Sequence, residues 1–199
     1  IVPFQQLENP VFDPAEGDPD QFVPSDLPYA CDAAYSQDPT RFIGPTRVIG
    51  RLPDMLAAKR PDYILKLLKI AAGRVSRPAS EYATHFGVTA WEWKESTRKS
   101  LEKLFGVGKD AHTSPDKGPD WEDGHLSARA HFINCHGSIA RPVFHGQRGN
   151  RYPVAHESRL LTGRVTEGTV VAVECCYGAE LYDPALSGNL MGICYSYLV

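Results

Sequence analysis

The chain lacks a long apolar run, a cluster of basic residues and an even set of spaced cysteines. Each absence excludes something. No stretch approaches the roughly 18 consecutive apolar residues of a membrane-spanning helix, so no membrane partner is expected. Lys and Arg are scattered and the formal net charge is −3, so the basic footprint of a nucleic-acid binder is missing. Five cysteines, two of them adjacent at Cys175 and Cys176, do not make the framework of a small disulfide-stapled module. Cys31, Cys135 and Cys194 sit in or beside apolar stretches and read as small buried hydrophobes. Unpaired thiols favour a reducing, cytoplasmic compartment over an oxidising one, although localisation is otherwise unknown from the residues. Internal repeats and low-complexity tracts are absent too. The chain opens on Ile1-Val2-Pro3-Phe4 without Met and closes in the apolar run Ile193–Val199. Both ends read as cut, and a missing targeting segment then means little.

What is present is ordinary in amount. With 199 residues, 42% hydrophobic and 23% charged, the composition is that of a soluble globular domain. A chain of this length can bury roughly 70% of its unfolded surface without staples. One domain spanning 1–199 is expected. Residues 5–40 are rich in Pro, Asp and Gln, with clusters such as Asn9-Pro10 and Pro14–Asp20, and read as a surface loop. Residues 42–50 read as a short strand broken by a turn. Pro53-Asp54 reads as the opening of a helix carrying an apolar stripe from Met55 and Leu56 through Ile64, Leu65, Leu67, Leu68, Ile70 and Ala71, closed by Gly73. A strand over Tyr82–Thr89 precedes an amphipathic helix over Trp91–Phe105, with Trp91, Leu101, Leu104 and Phe105 inward and Gly106 as its stop.

Residues 107–124 read as an exposed loop, and 138–152, with Arg141, Arg148 and Arg151, as a polar mobile one. Between them runs the strand Ala128–Cys135. An amphipathic segment at Val154–Leu161 precedes the strand Val170–Glu174. Pro184–Gly192 is a loop before a last element from Ile193. Strands alternating with helices at this spacing predict an α/β fold with a mostly parallel sheet covered by helices on both faces.

Two stretches carry chemistry. Phe132-Ile133-Asn134-Cys135-His136-Gly137 and Val170–Glu174-Cys175-Cys176-Tyr177-Gly178 are both apolar runs that end in a reactive side chain near a glycine. At the carboxyl edge of a parallel sheet such ends meet where ligands bind. A thiol beside an imidazole is the minimum equipment for acyl transfer through cysteine. Cys175, spaced from Gly178 as Cys-x-x-Gly, is the candidate nucleophile and His136 the proton-transfer group. Gly137 N–H and Cys175 N–H are candidate oxyanion donors. Cys176, adjacent, leaves open which sulfur attacks. The rivals are plain: a cysteine or a His-Gly pair closing a strand is commonly structural. Cys135, His136, Cys175 and Cys176 are a conceivable zinc set, strained by adjacent ligands. His145, in a Gly-flanked loop, and His156, in a polar segment, read as exposed, and Asp120, Glu122 and Asp123 as a solvated turn.

These two motifs resemble those of the caspase-fold cysteine peptidases, the group of caspases, legumain, clostripain and gingipains, and are most similar to the gingipain-like branch. Ser25-Asp26-Leu27-Pro28-Tyr29, Arg47-Val48-Ile49-Gly50-Arg51-Leu52-Pro53 and Gly192-Ile193-Cys194 follow in the same order and extend the resemblance along the chain. The resemblance implies a caspase-like three-layer sandwich and a cysteine endopeptidase with His136 as acid–base and Cys175 as nucleophile. It also implies Asp26 as a substrate-binding carboxylate for Arg or Lys before the scissile bond, against the alternative of a turn or cap residue. The adjacent Cys176 departs from the pattern. The first and last strands of that fold are missing, which implies a fragment completed by a second chain or subunit. No cofactor and no resident metal are implied, calcium for loop order being left open. A non-catalytic binding or scaffold module of the same fold is the alternative function, ahead of a structural zinc site.

Overall fold

The computed structural model describes residues 2–15 and 19–198; Ile1, Val199 and the Glu16–Asp18 part of the expected early loop lie outside the described residues. Where one domain is expected, the chain divides into two compact units, Ile1–Arg51 and Leu52–Val199.

In the first unit the expected loop contains two strands, β1 (Gln5–Glu8) and β2 (Phe22–Ser25), paired antiparallel with Leu7 opposite Val23. A single helical turn, α1 (Leu27–Ala30), follows. Leu7, Cys31 and Phe42 form a small core against which Leu27 packs. The expected strand over 42–50 does not form. Residues 43–50 are exposed, and the Thr46 and Arg47 N–H groups donate to the Ala30 carbonyl rather than to a sheet partner. Gly44-Pro45 removes a ladder donor just where pairing would have to propagate.

The second unit holds helix α2 (Asp62–Ala72), strand β3 (His85–Ala90), helix α3 (Lys94–Phe105), strand β4 (His112–Ser114), a helical turn α4 (Asp123–Leu126), strands β5 (Ala130–Asn134), β6 (Val143–His145), β7 (Val154–Glu157) and β8 (Val170–Val173), and helix α5 (Ile193–Leu198). Helix α2 begins later than its stripe suggests, because Ala57 takes a positive φ of 59° and Pro61 precedes the first turn. Of its apolar residues only Leu67 is buried, while Leu65, Leu68 and Ile70 are exposed. In α3 the inward residues are Thr97 and Leu101, whereas Leu104 is exposed, contrary to expectation. Arg98 bonds Glu95 and Glu102 one turn either side, and Gly106 at φ 98° ends the helix. The expected loop 107–124 contains β4 and buries Trp121. The expected loop 138–152 contains β6, and Val154–Leu161 begins as β7, its partner.

The order β4-β3-β5-β8, parallel throughout, makes a four-stranded sheet flanked by helices, so the fold is mixed α/β. Phe86–Ala90 of β3 and His131–Ile133 of β5 are buried at successive positions, as expected of strands covered on both faces. The core joins Phe86, Val88, Trp121, Leu126, Ile133 and Phe144. Fully burying each such side chain stabilises by roughly 1.5–3 kcal/mol. The chain leaves β3 toward β4 and returns on the other side as β5. The winding therefore reverses between β3 and β5, and the crevice outside their carboxyl ends is where such sheets bind ligands.

Candidate active site

Three segments leave the sheet at that edge: Trp91–Trp93 after β3, Cys135–Gly137 after β5 and Glu174–Gly178 after β8. His136 is anchored by its backbone, which exchanges two hydrogen bonds of 2.8 Å with His145 of β6. Its ring lies 4.3 Å from that of Trp93 and 5.3 Å from that of Tyr152, centroid to centroid. Nε2 is 2.8 Å from Gln147 Oε1. An open cleft of about 370 Å³ is lined by His136, Gly137, Ser138, His145 and Tyr152.

Gly137 is where the two strand ends come together. A Cβ built on it would fall on the Cys176 carbonyl oxygen and lie 2.8 Å from the carbonyl carbon, so only glycine allows this approach. The sequence expectation that the His136 and cysteine segments converge therefore holds at the backbone. The Gly137, Cys175 and Cys176 N–H groups donate to no protein acceptor among the described residues.

The two sulfurs have different settings. The Gly178 N–H donates to the Cys175 carbonyl at 3.0 Å and closes a turn over Cys176 and Tyr177. Tyr177 takes a φ of 56°, a left-handed conformation that costs a non-glycine residue roughly 1–2 kcal/mol. Cys175 Sγ accepts from the Cys135 N–H at 3.3 Å, lies 3.8 Å from the Ile133 carbonyl oxygen and packs against the core. Burial pushes its thiol up to about 12. Cys175 thus does not project as the expected nucleophile does, because the side chain at that position faces the sheet interior. Cys176, the first residue inside that turn, is exposed.

Asp26 belongs to the first unit, where Arg51 Nε donates to Oδ2 at 2.6 Å and a second guanidinium nitrogen reaches Oδ1. That paired hydrogen bond holds the carboxyl below the usual carboxylate range. The expected substrate-binding carboxylate already carries an internal guanidinium. It stands ahead of α1 without capping it, and Ser25 Oγ accepts the Leu27 N–H instead.

The histidines read as exposed are placed otherwise. His145 is half-buried in β6, its imidazole pushed down by burial and then by His136 and Arg141. His156 is fully buried in β7, and burial lowers it to about 3. Its Nε2 and His131 Nδ1 lie 2.8 and 3.0 Å from Tyr197 Oη. Asp120 and Asp123 are exposed as expected and pair with Arg164. Among the described residues no group of three or more His, Cys, Asp or Glu is placed to share a metal ion, so Cys135, His136, Cys175 and Cys176 do not form the conceivable zinc set. No helix among them is long and apolar enough to cross a membrane.

Gln147, Trp93 and Tyr152 are the site residues that sequence reasoning missed. In one dimension Gln147 and Tyr152 are residues of the polar 138–152 loop and Trp93 is part of the expected Trp91–Phe105 helix, and no motif marks them.

No family model matches the chain, and comparison with curated proteins and with solved structures returns no match.

Proposed function

We propose that the chain is a cysteine endopeptidase of caspase-like, three-layer fold in which His136 and a thiol of the 175–178 turn cleave a peptide bond. One observation carries this reading: the backbone of Cys176, an exposed thiol, lies against Gly137 beside His136 at the carboxyl edge of a parallel sheet. The contrast between the sulfurs supports Cys176 as nucleophile and Cys175 as a structural thiol.

In the reaction His136 takes the thiol proton and the sulfur attacks the peptide carbonyl carbon. The carbonyl electron pair moves to oxygen, where the free N–H groups of Gly137 and Cys176 receive it. Such preorganised donors are worth roughly 3–4 kcal/mol of barrier. Collapse breaks the C–N bond, His136 returns the proton to the leaving amine, and water hydrolyses the thioester. With Asp26 engaged by Arg51, the carboxylate proposed to pair with a substrate Arg or Lys is Glu174, which is exposed, precedes the thiol turn and has no ion-pair partner among the described residues.

The test incubates wild type, Cys175→Ala, Cys176→Ala and His136→Ala with a diverse peptide library. Cleavage is expected in wild type and Cys175→Ala and is lost in the other two, with cuts after Arg or Lys weakened in Glu174→Gln. Cleavage that survives Cys176→Ala returns the nucleophile to Cys175 or excludes the thiol mechanism, according to whether Cys175→Ala abolishes it. No cleavage by wild type favours the non-catalytic binding module.

A further inference from the structure

The Gln147 side chain has one accepting and one donating end, and its surroundings tell them apart. Nε2 donates to the Gly149 carbonyl at 3.2 Å and to Tyr152 Oη at 3.1 Å. The reverse orientation would set the amide oxygen against the Gly149 carbonyl oxygen, lone pair against lone pair. Oε1 therefore faces His136 Nε2, 2.8 Å away. An acceptor in that place requires hydrogen on Nε2. In a neutral imidazole the lone pair then resides on Nδ1.

The loop that carries Gln147 is itself held. Glu92 Oε1 accepts the Gly149 N–H at 2.7 Å, and the Glu92 N–H donates to the Gln147 carbonyl at 3.4 Å. Trp93 and Tyr152 bracket the imidazole, so its plane as well as its protonation pattern is constrained. We propose that Gln147 is a positioning residue for His136, holding it as the Nε2–H tautomer so that Nδ1 is the nitrogen that takes the thiol proton. This rests on the reading of His136 as the acid–base of a thiol hydrolase. Gln147 acts through His136 and touches no reacting atom.

The tautomer is read directly by two-bond nitrogen–proton correlation spectra of the 15N-labelled full chain at pH 8, above the ordinary imidazole value of about 6.5. His136→Ala identifies the signals. Wild type is expected to give the Nε2–H pattern and Gln147→Leu a mixture of both tautomers. Gln147→Glu, which keeps an acceptor, is expected to restore the wild-type pattern. A wild-type Nδ1–H pattern overturns the proposal, as does a Gln147→Leu spectrum unchanged from wild type. In the peptide assay Gln147→Leu is expected to lower kcat by about tenfold or more at nearly constant KM, with partial rescue by Gln147→Glu. Wild type that shows the Nε2–H pattern yet cleaves nothing at any pH refutes the peptidase reading and leaves Gln147 as the residue that sets the tautomer.

Discussion

Gly137 ties the two halves of the site together with no side chain of its own. Its neighbour across the gap is the Cys176 carbonyl, and peptide carbonyls do not yield as the tip of a flexible side chain would. Gly137→Ala must push the ends of β5 and β8 apart, and overpacking of this kind costs about 1–3 kcal/mol. Urea titration should show a lowered midpoint with little change in slope. An unaltered midpoint would mean that the strand ends are not in contact. At this scale His136 and the thiol turn are legible in the sequence, because each interrupts an apolar run and is followed by glycine. Which sulfur faces out is not. Both lie past the end of β8, and only the packing of Cys175 against the core and the turn closed by Gly178 decide which thiol is left exposed. Gln147 is silent in the sequence for a related reason. It meets the imidazole only because the β6 bridge folds the loop back on His136.

β5 lies between β3 and β8 and carries His136 just past its end. Ile133, on this strand, is fully buried within the main core. Ile133→Ala removes that packing from the strand that aims the imidazole and should destabilise the chain by about 2–5 kcal/mol. Thermal unfolding followed by circular dichroism measures it, and a loss under about 1 kcal/mol would place Ile133 outside the cooperative core. Of the parallel sheet β3, β5 and β8 are legible in the sequence as apolar runs that stop at turn signals, whereas β4, a polar His-Thr-Ser among Gly, Asp and Pro, is not. The stripe of α2 and the run 42–50 mislead because local apolar pattern does not ensure a surface to pack against. Leu65 and Leu68 keep the helical period yet stay exposed, and Ile43 and Val48 find no strand partner.

Across the whole molecule, two of the buried polar side chains are histidines joined through one hydroxyl. Burial lowers His131 to about 4 and His156 to about 3 from an ordinary 6.5, and pushes Tyr197 up. Folded values below the unfolded one mean that the unfolded chain binds the extra protons. Their neutral-state stability is complete above pH 6.5 and is lost as the pH falls toward 4 and then 3. A depression of this size in His131 corresponds to roughly 3 kcal/mol across the window. Stability measured by urea from pH 7 to pH 4 should fall, with a shallower decline in His131→Gln. A flat profile would show that these imidazoles reach solvent. By itself the sequence determined the α/β class, three of the four strands of the sheet, β3, β5 and β8, and the placing of a histidine and a thiol turn at strand ends. Those follow from local period and from where apolar runs stop. The tertiary structure alone decided that Cys175 faces the core and Cys176 faces solvent, that Asp26 is taken by Arg51, and that Gln147 orients the imidazole. Each of these depends on which residues distant in the chain become neighbours, and no local pattern encodes that.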